Sequence, residues 1–218
     1  MSDDLPLSAA EIRVLGVLAE KEALTPDNYP LSLNSLTAGC NQLSSREPVM
    51  QLSEDEVMDT LGALMAKKLA AEVSQAGARV KKYEHRMRPR WSLEQDKLAA
   101  LVVLMLRGPQ TAGEVRTRVG RIHEYASVAE LENALQFLID KYPPLVARLA
   151  RAPGAREVRY AHLLAGEIDE AALLAQGESA TGSSKGDRVA RLEEEVAALR
   201  AEMERMSQEF AEIRKLLE

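Results

Sequence analysis

The sequence predicts a mainly α protein with small β-hairpins, an α+β chain made of two tandem winged helix-turn-helix domains followed by a C-terminal coiled-coil helix. Three observations predict it. First, Gly77-Ala78-Arg79-Val80-Lys81-Lys82-Tyr83-Glu84-His85 recurs 77 positions later as Gly154-Ala155-Arg156-Glu157-Val158-Arg159-Tyr160-Ala161-His162, with five of the nine positions identical. A glycine-containing turn followed by an alternating basic and apolar run is the pattern of the second arm of a hairpin, and each copy follows helical segments. Second, Ser8 with Glu11, Ser53 with Glu56, Ser92 with Gln95, Thr111 with Glu114 and Ser127 with Glu130 have the spacing of capping boxes, which satisfy backbone donors at helix starts. Third, Val189, Leu192, Val196, Leu199, Met203, Met206, Phe210, Ile213 and Leu217 alternate at spacings of three and four, an unbroken heptad seam.

The elements follow in order. Ile12, Leu15, Leu18 and Ala19 form the buried stripe of a first helix that runs to about residue 22. The run Thr25-Pro26-Asp27-Asn28-Tyr29-Pro30 predicts a fixed, non-helical connector, because Pro30 lacks a donor and restricts the residue before it. A second helix is expected over 32–42, with Leu33, Leu36 and Cys40 inward, so Cys40 reads as a core thiol. The stretch 41–52 is too long for a minimal turn, and Pro48 stops either neighbouring helix, which predicts an ordered irregular loop. A third helix over 53–69, at the recognition position, turns Val57, Leu61, Leu64 and Met65 inward. Strands near 71–74 and 80–85 complete the first unit, 87–91 leads out, and Trp91 packs between the units. The second unit repeats this order, with helices over 93–107, 112–119 and 128–140 and strands near 145–149 and 157–162. The expected organisation is therefore a first domain over 1–91, a second over 92–166, a Gly/Ser/Thr-rich linker over 167–187 and a coiled-coil helix over 188–218.

Composition narrows the function classes. The chain has 218 residues, 46% of them apolar, and a formal charge of −6. That charge is uneven: Lys and Arg number 11 against 13 acidic residues over 1–91, 10 against 8 over 92–166, and 7 against 13 over 167–218. The single cysteine excludes an intrachain disulfide and fits a reducing cytoplasm. The acidic start, Met1-Ser2-Asp3-Asp4, lacks a signal-peptide run, and no stretch approaches the ~20 apolar residues of a membrane span. The three histidines, His85, His123 and His162, have no carboxylate or thiol at catalytic or metal-binding spacing, and no phosphate-binding or dinucleotide motif is present. We expect no enzyme activity, metal or cofactor. His85 and His162 each follow a tyrosine by two residues, which predicts an equivalent strand-end role in the two units.

At Tyr29-Pro30-Leu31-Ser32-Leu33-Asn34-Ser35-Leu36, Cys40-Asn41-Gln42 and Ser45-Arg46-Glu47-Pro48-Val49-Met50 the sequence resembles the YceH-like family of uncharacterised bacterial proteins, over about residues 7–165. The resemblance implies tandem winged helices and marks Asn41, Gln42 and Arg46 as family-signature positions, without implying a biochemical role. Read as side chains alone, an Asn, a Gln and an Arg beside Pro48 suit hydrogen bonding that fixes an irregular loop.

Two functions fit. The first is a winged-helix DNA-binding protein, a candidate transcriptional regulator, whose first wing offers Arg79, Lys81, Lys82, Arg86, Arg88 and Arg90 to phosphates, with Asn133 and Gln136 as candidate base readers. Against it, the first recognition helix begins Glu54, Asp55, Glu56 and adds Asp59, which repel phosphate, and a basic strand is also how a sheet edge is kept from aggregating. The second is a non-catalytic protein-interaction adaptor that does not bind DNA. In either case Val at position a and Leu at d in the first two heptads predict a parallel homodimer through the tail.

Overall fold

The computed structural model describes residues 5–73, 80–151, 157–166 and 168. Ser8 opens α1 (Ala9–Leu24) with a complete capping box, its Oγ accepting from Glu11 N–H while the Glu11 carboxylate accepts from Ser8 N–H. A 3₁₀ turn (Pro26–Asn28) and a two-residue strand β1 (Leu31–Ser32) lead into α2 (Leu33–Cys40), which Ser32 caps. After the loop 41–52, Ser53 and Glu56 form a second complete box at the start of α3 (Glu54–Ala66). Strands β2 (Ala70–Val73) and β3 (Lys82–His85) follow, then a short helix α4 (Met87–Trp91).

The same order returns as α5 (Gln95–Arg107), β4 (Gln110–Thr111), α6 (Ala112–Val119), α7 (Val128–Ile139), β5 (Val146–Arg148) and β6 (Arg159–His162). Each repeat closes a three-stranded antiparallel sheet in which the last strand lies in the middle, in the orders β1-β3-β2 and β4-β6-β5. Leu31 and Glu72 flank Tyr83 in one sheet, as Gln110 and Arg148 flank Tyr160 in the other. The architecture is thus mixed α/β, with seven helices and two small antiparallel sheets among the described residues.

The two repeats share one hydrophobic core, and residues 1–168 form one compact unit. Helices α1 and α5 pack on each other, with Gly16 so close to α5 that an added Cβ would lie 2.9 Å from Leu106 Cδ2. That packing explains why α1 is buried on every side from Glu11 to Glu20 and not along a single stripe. Backbone bonds join the repeats as well, from Leu7 N–H to Leu164 O at 2.7 Å and from Glu47 N–H to Leu106 O at 2.8 Å.

Several local expectations change. The connector 25–30 contains a 3₁₀ turn, because Pro26 stands in its first turn, where a missing N–H costs nothing. Residues 87–91 form α4 and end at Ser92, whose φ of 49° is left-handed. A residue in that conformation cannot serve as an N-cap, which needs extended backbone, so the expected Ser92–Gln95 box does not form and α5 starts after Glu94 with no side-chain cap. At α7 only half a box forms. Ser127 Oγ accepts from Glu130 N–H, but the Glu130 carboxylate accepts from Ala126 N–H. Trp91 is buried, as a packing residue should be. The linker, the heptad seam from Val189 to Leu217, both hairpin tips and Arg79 lie outside the described residues.

Candidate functional site

The loop 41–52 is the most heavily fastened irregular segment of the described chain. Where α2 ends, Asn41 closes the neck of the loop, its Nδ2 donating to Leu52 O at 2.7 Å and its Oδ1 accepting from Leu52 N–H at 2.8 Å. Arg46 turns inward and is 4% exposed. Its guanidinium donates to both Glu20 oxygens on α1, at 3.0 and 2.6 Å, and to Gln42 Oε1 at 2.9 Å. It also donates to Gly39 O at 3.1 Å and to Ser45 O at 2.9 Å. Gln42 and Arg46 therefore meet with Glu20 in one network, while Asn41 fastens the neck of the same irregular loop separately.

A second arginine, close to Arg46, holds the same loop. Arg13 of α1 is fully enclosed and donates to Cys40 O at 3.0 Å and Pro48 O at 2.5 Å. Burial first, then the neighbouring Arg46, hold its guanidinium below the ordinary arginine range, and its Nε has no partner among the described residues. Sequence reasoning missed Arg13. The available signal was a charged residue inside the unbroken run Ile12 to Ala19, which a helix buried on all sides would have made conspicuous. Cys40 beside it is a core thiol, completely buried and pushed up to about 12 by burial, so it is no nucleophile at neutral pH.

Fixed at this many points, the loop still turns apolar side chains outward. Leu43 is 82% exposed and Val49 48%. On the helix that follows, Glu54, Asp55, Met58 and Asp59 are all exposed, and Asn34 Nδ2 ties Glu54 to α2 at 3.1 Å.

The wing residues are arranged differently from what their composition suggests. Lys81 is paired with Glu72 at 3.0 Å, and Arg86 with Glu84 at 2.7 Å. Arg88 donates to Glu22 at 2.9 Å and to Gln95, and is partly covered on α4. Lys82 is half-buried on β3, and Arg90 is exposed at the end of α4. Among the described wing residues, Lys81, Arg86 and Arg88 thus sit against carboxylates. On α7, Asn133 and Gln136 are exposed, and Gln136 donates to Asp140 at 2.8 Å within its own helix.

The paired histidines do end equivalent strands. His85 Nδ1 accepts from Met87 N–H at 3.2 Å, which puts the ring proton on Nε2, 3.1 Å from Glu22 Oε2. The His85 and Arg88 contacts hold the Glu22 carboxyl down at about 2 against the opposing effect of burial. His162 has no such partner for Nδ1 among the described residues, and burial pushes it down to about 4.

Comparison with known proteins places these features in a family. A family model described as protein of unknown function, DUF480, matches residues 7–155. The chain is 61% identical over 210 residues to a UPF0502 protein of Janthinobacterium sp. (strain Marseille), covering 96% of this chain and 90% of the relative. It is 56% identical over 199 residues to a UPF0502 protein of Chromobacterium violaceum, covering 91% and 90%. A UPF0502 protein of Shewanella piezotolerans is 48% identical over 207 residues, covering 90% of this chain and 95% of the relative. The chain belongs to the DUF480, or UPF0502, family of uncharacterised bacterial proteins, with which the YceH-like resemblance read from residues 29–50 agrees.

Proposed function

We propose that the chain is a non-catalytic protein-interaction module of the cytoplasm, built from two winged-helix repeats, whose docking face is the loop 41–52 together with the exposed side of α3. The winged-helix reading rests on the twice-repeated order of helix, short strand, helix, helix and hairpin, with the last strand central in each sheet. One observation carries the functional reading. A loop held by Arg13, Asn41 and Arg46 presents Leu43 and Val49 to solvent, and a pre-fixed apolar anchor loses little freedom when a partner covers it. Glu54, Asp55 and Asp59 beside it select a partner segment that carries basic as well as apolar side chains.

The same acidic turn weighs against a groove-docking role for α3, because its carboxylates meet phosphate first. The pairing of Lys81, Arg86 and Arg88 removes much of the surplus charge on which a phosphate-reading wing depends. Pairing of two copies through the heptad seam would present two such faces at once, raising avidity for a repeated partner.

The test compares the wild-type chain with Leu43→Ser/Val49→Ser and with Asp55→Lys/Asp59→Lys, all on exposed positions. Quantitative cross-linking in cells should recover a partner that carries a basic, apolar segment and that both variants lose, with melting unchanged. Capture indifferent to both variants, or sequence-independent duplex binding that survives at about 0.1 M salt, overturns the reading.

A further inference from the structure

Beside the fastened loop, three arginines line one cleft. Arg107 at the end of α5, Arg118 on α6 and Arg121 just past it face a recess shared with Glu20, Ser45 and the apolar walls Leu24, Val103, Leu106 and Ile122. Of the carboxylates near them, Glu47 acts on Arg107 from the loop, while Glu20 and Glu114 are already engaged. Both Glu20 oxygens are taken by Arg46. One Glu114 oxygen accepts from the backbone and hydroxyl of Thr111, and the other lies 3.8 Å from Arg118. Arg107 donates to the neutral Ser45 Oγ at 2.5 Å, Arg118 to the neutral Gln110 Oε1, and Arg121 has no hydrogen bond or ion pair among the described residues. With Arg118 offset in part by Glu114 and Arg107 by Glu47, the cleft still keeps a positive excess, carried chiefly by Arg121.

We propose that this cleft binds the terminal phosphate of a small soluble phosphomonoester. Guanidinium groups present planar forks of donors matched to phosphate oxygens, and several converging on one recess suit a compact dianion with free oxygens on three sides. A nucleic-acid phosphate is singly charged and carries ester links on two sides, so it fits a recess less well than an open groove. Apolar walls beside the arginines lower the local dielectric and strengthen the attraction. Burial and then Arg118 and Arg46 hold Arg107 below its ordinary range, which marks the like-charge crowding that a bound dianion relieves. Ser45, in the left-handed region at φ 63°, places its hydroxyl beside Arg107 and so joins the cleft to the loop 41–52.

The experiment uses the full chain and inorganic phosphate as probe, titrated by calorimetry at constant ionic strength with chloride as the exchanged ion. Arg121→Gln and Arg118→Gln are the variants; both side chains are exposed, and circular dichroism and melting verify that each folds. The expected result is saturable phosphate binding by the wild type, weakened at least ~10-fold by either change, the loss of one charge-assisted contact. A small phosphomonoester should compete with phosphate, and a short duplex should not. Equal heats in phosphate and chloride, equal affinities of wild type and Arg121→Gln, or displacement of phosphate by the duplex at equal phosphate concentration would each overturn the proposal.

Discussion

Replacing Arg46 with Ala removes the centre of the loop network, and its cost can be worked out from the contacts. The guanidinium makes five hydrogen bonds, two of them to Glu20, and its side chain is completely enclosed while that of Glu20 is 9% exposed. The substitution leaves Glu20 with Lys21 at 3.6 Å as its remaining direct ion pair among the described residues, and it strips Gly39 O and Ser45 O of a donor. Breaking a buried pair from one side costs about 3–5 kcal/mol, chiefly because the other charge stays behind. For a chain of this size each kcal/mol moves the midpoint by roughly 2–4 °C, so melting should fall by about 6–20 °C. Urea denaturation of the wild type, Arg46→Ala, Arg46→Met, Glu20→Met and the double variant Arg46→Met/Glu20→Met gives the assay. Removing both partners leaves no orphaned charge, so the double variant should be more stable than Arg46→Ala. A loss below ~1 kcal/mol for Arg46→Ala, or a double variant as unstable as the summed singles, would refute the claim that the pair holds the loop.

Gly39→Ala should cost about 1–3 kcal/mol in urea denaturation, because an added Cβ would lie 2.7 Å from Cγ1 of Val17, a stiff branched side chain on α1. Stability should fall on mild acidification: His162 is held down at about 4, so the unfolded chain binds the extra proton between about 6.5 and 4, and the loss through that window is about 3 kcal/mol, to be seen as a urea midpoint that His162→Phe makes less pH-dependent. Glu22, held at about 2, contributes stability above its unfolded value near 4.3 that disappears as pH falls through 2, and Glu22→Gln should flatten the acid limb of the same curve. Light scattering on the full chain and on a truncation after Gly177 should return a dimer and a monomer, and equal monomeric masses would remove the parallel coil from the proposal.

Legibility in the sequence followed the range of the interactions concerned. The helices α6 and α7 were expected over 112–119 and 128–140 and are found at Ala112–Val119 and Val128–Ile139, because caps and apolar spacing act within a few residues. The strands β1 and β4 were not legible. Two residues carry no periodicity, and each is defined by a partner, Tyr83 or Tyr160, some fifty positions away. The hairpin repeat was legible as strands, but its charge was misleading in isolation, since the carboxylate that meets Arg88 comes from α1 and the one that meets Lys81 from β2. The family-signature loop was legible as an ordered segment fixed by Asn41, Gln42 and Arg46. Its second anchor was not, because a one-sided stripe on α1 hides Arg13, and only the packing of α5 on α1 makes that position interior.

Two buried arginines are a costly way to hold a loop, since a well-packed apolar cluster usually stabilises as much or more. The backbone of this segment explains the choice. The last turn of α2 and the loop beyond it present the carbonyls of Gly39, Cys40, Ser45 and Pro48, which Arg13 and Arg46 reach. A leucine or methionine in place of either arginine would fill space and leave the buried carbonyls of Cys40 and Gly39 unsatisfied, each at about 1–3 kcal/mol. A guanidinium carries five donors in a fixed plane, so two of them can satisfy four carbonyls and one carboxylate while setting the distances among them. What the arrangement secures is therefore the shape of the loop, with Leu43 and Val49 held outward at defined positions, and shape is the property that a docking surface requires and a merely stable connector does not.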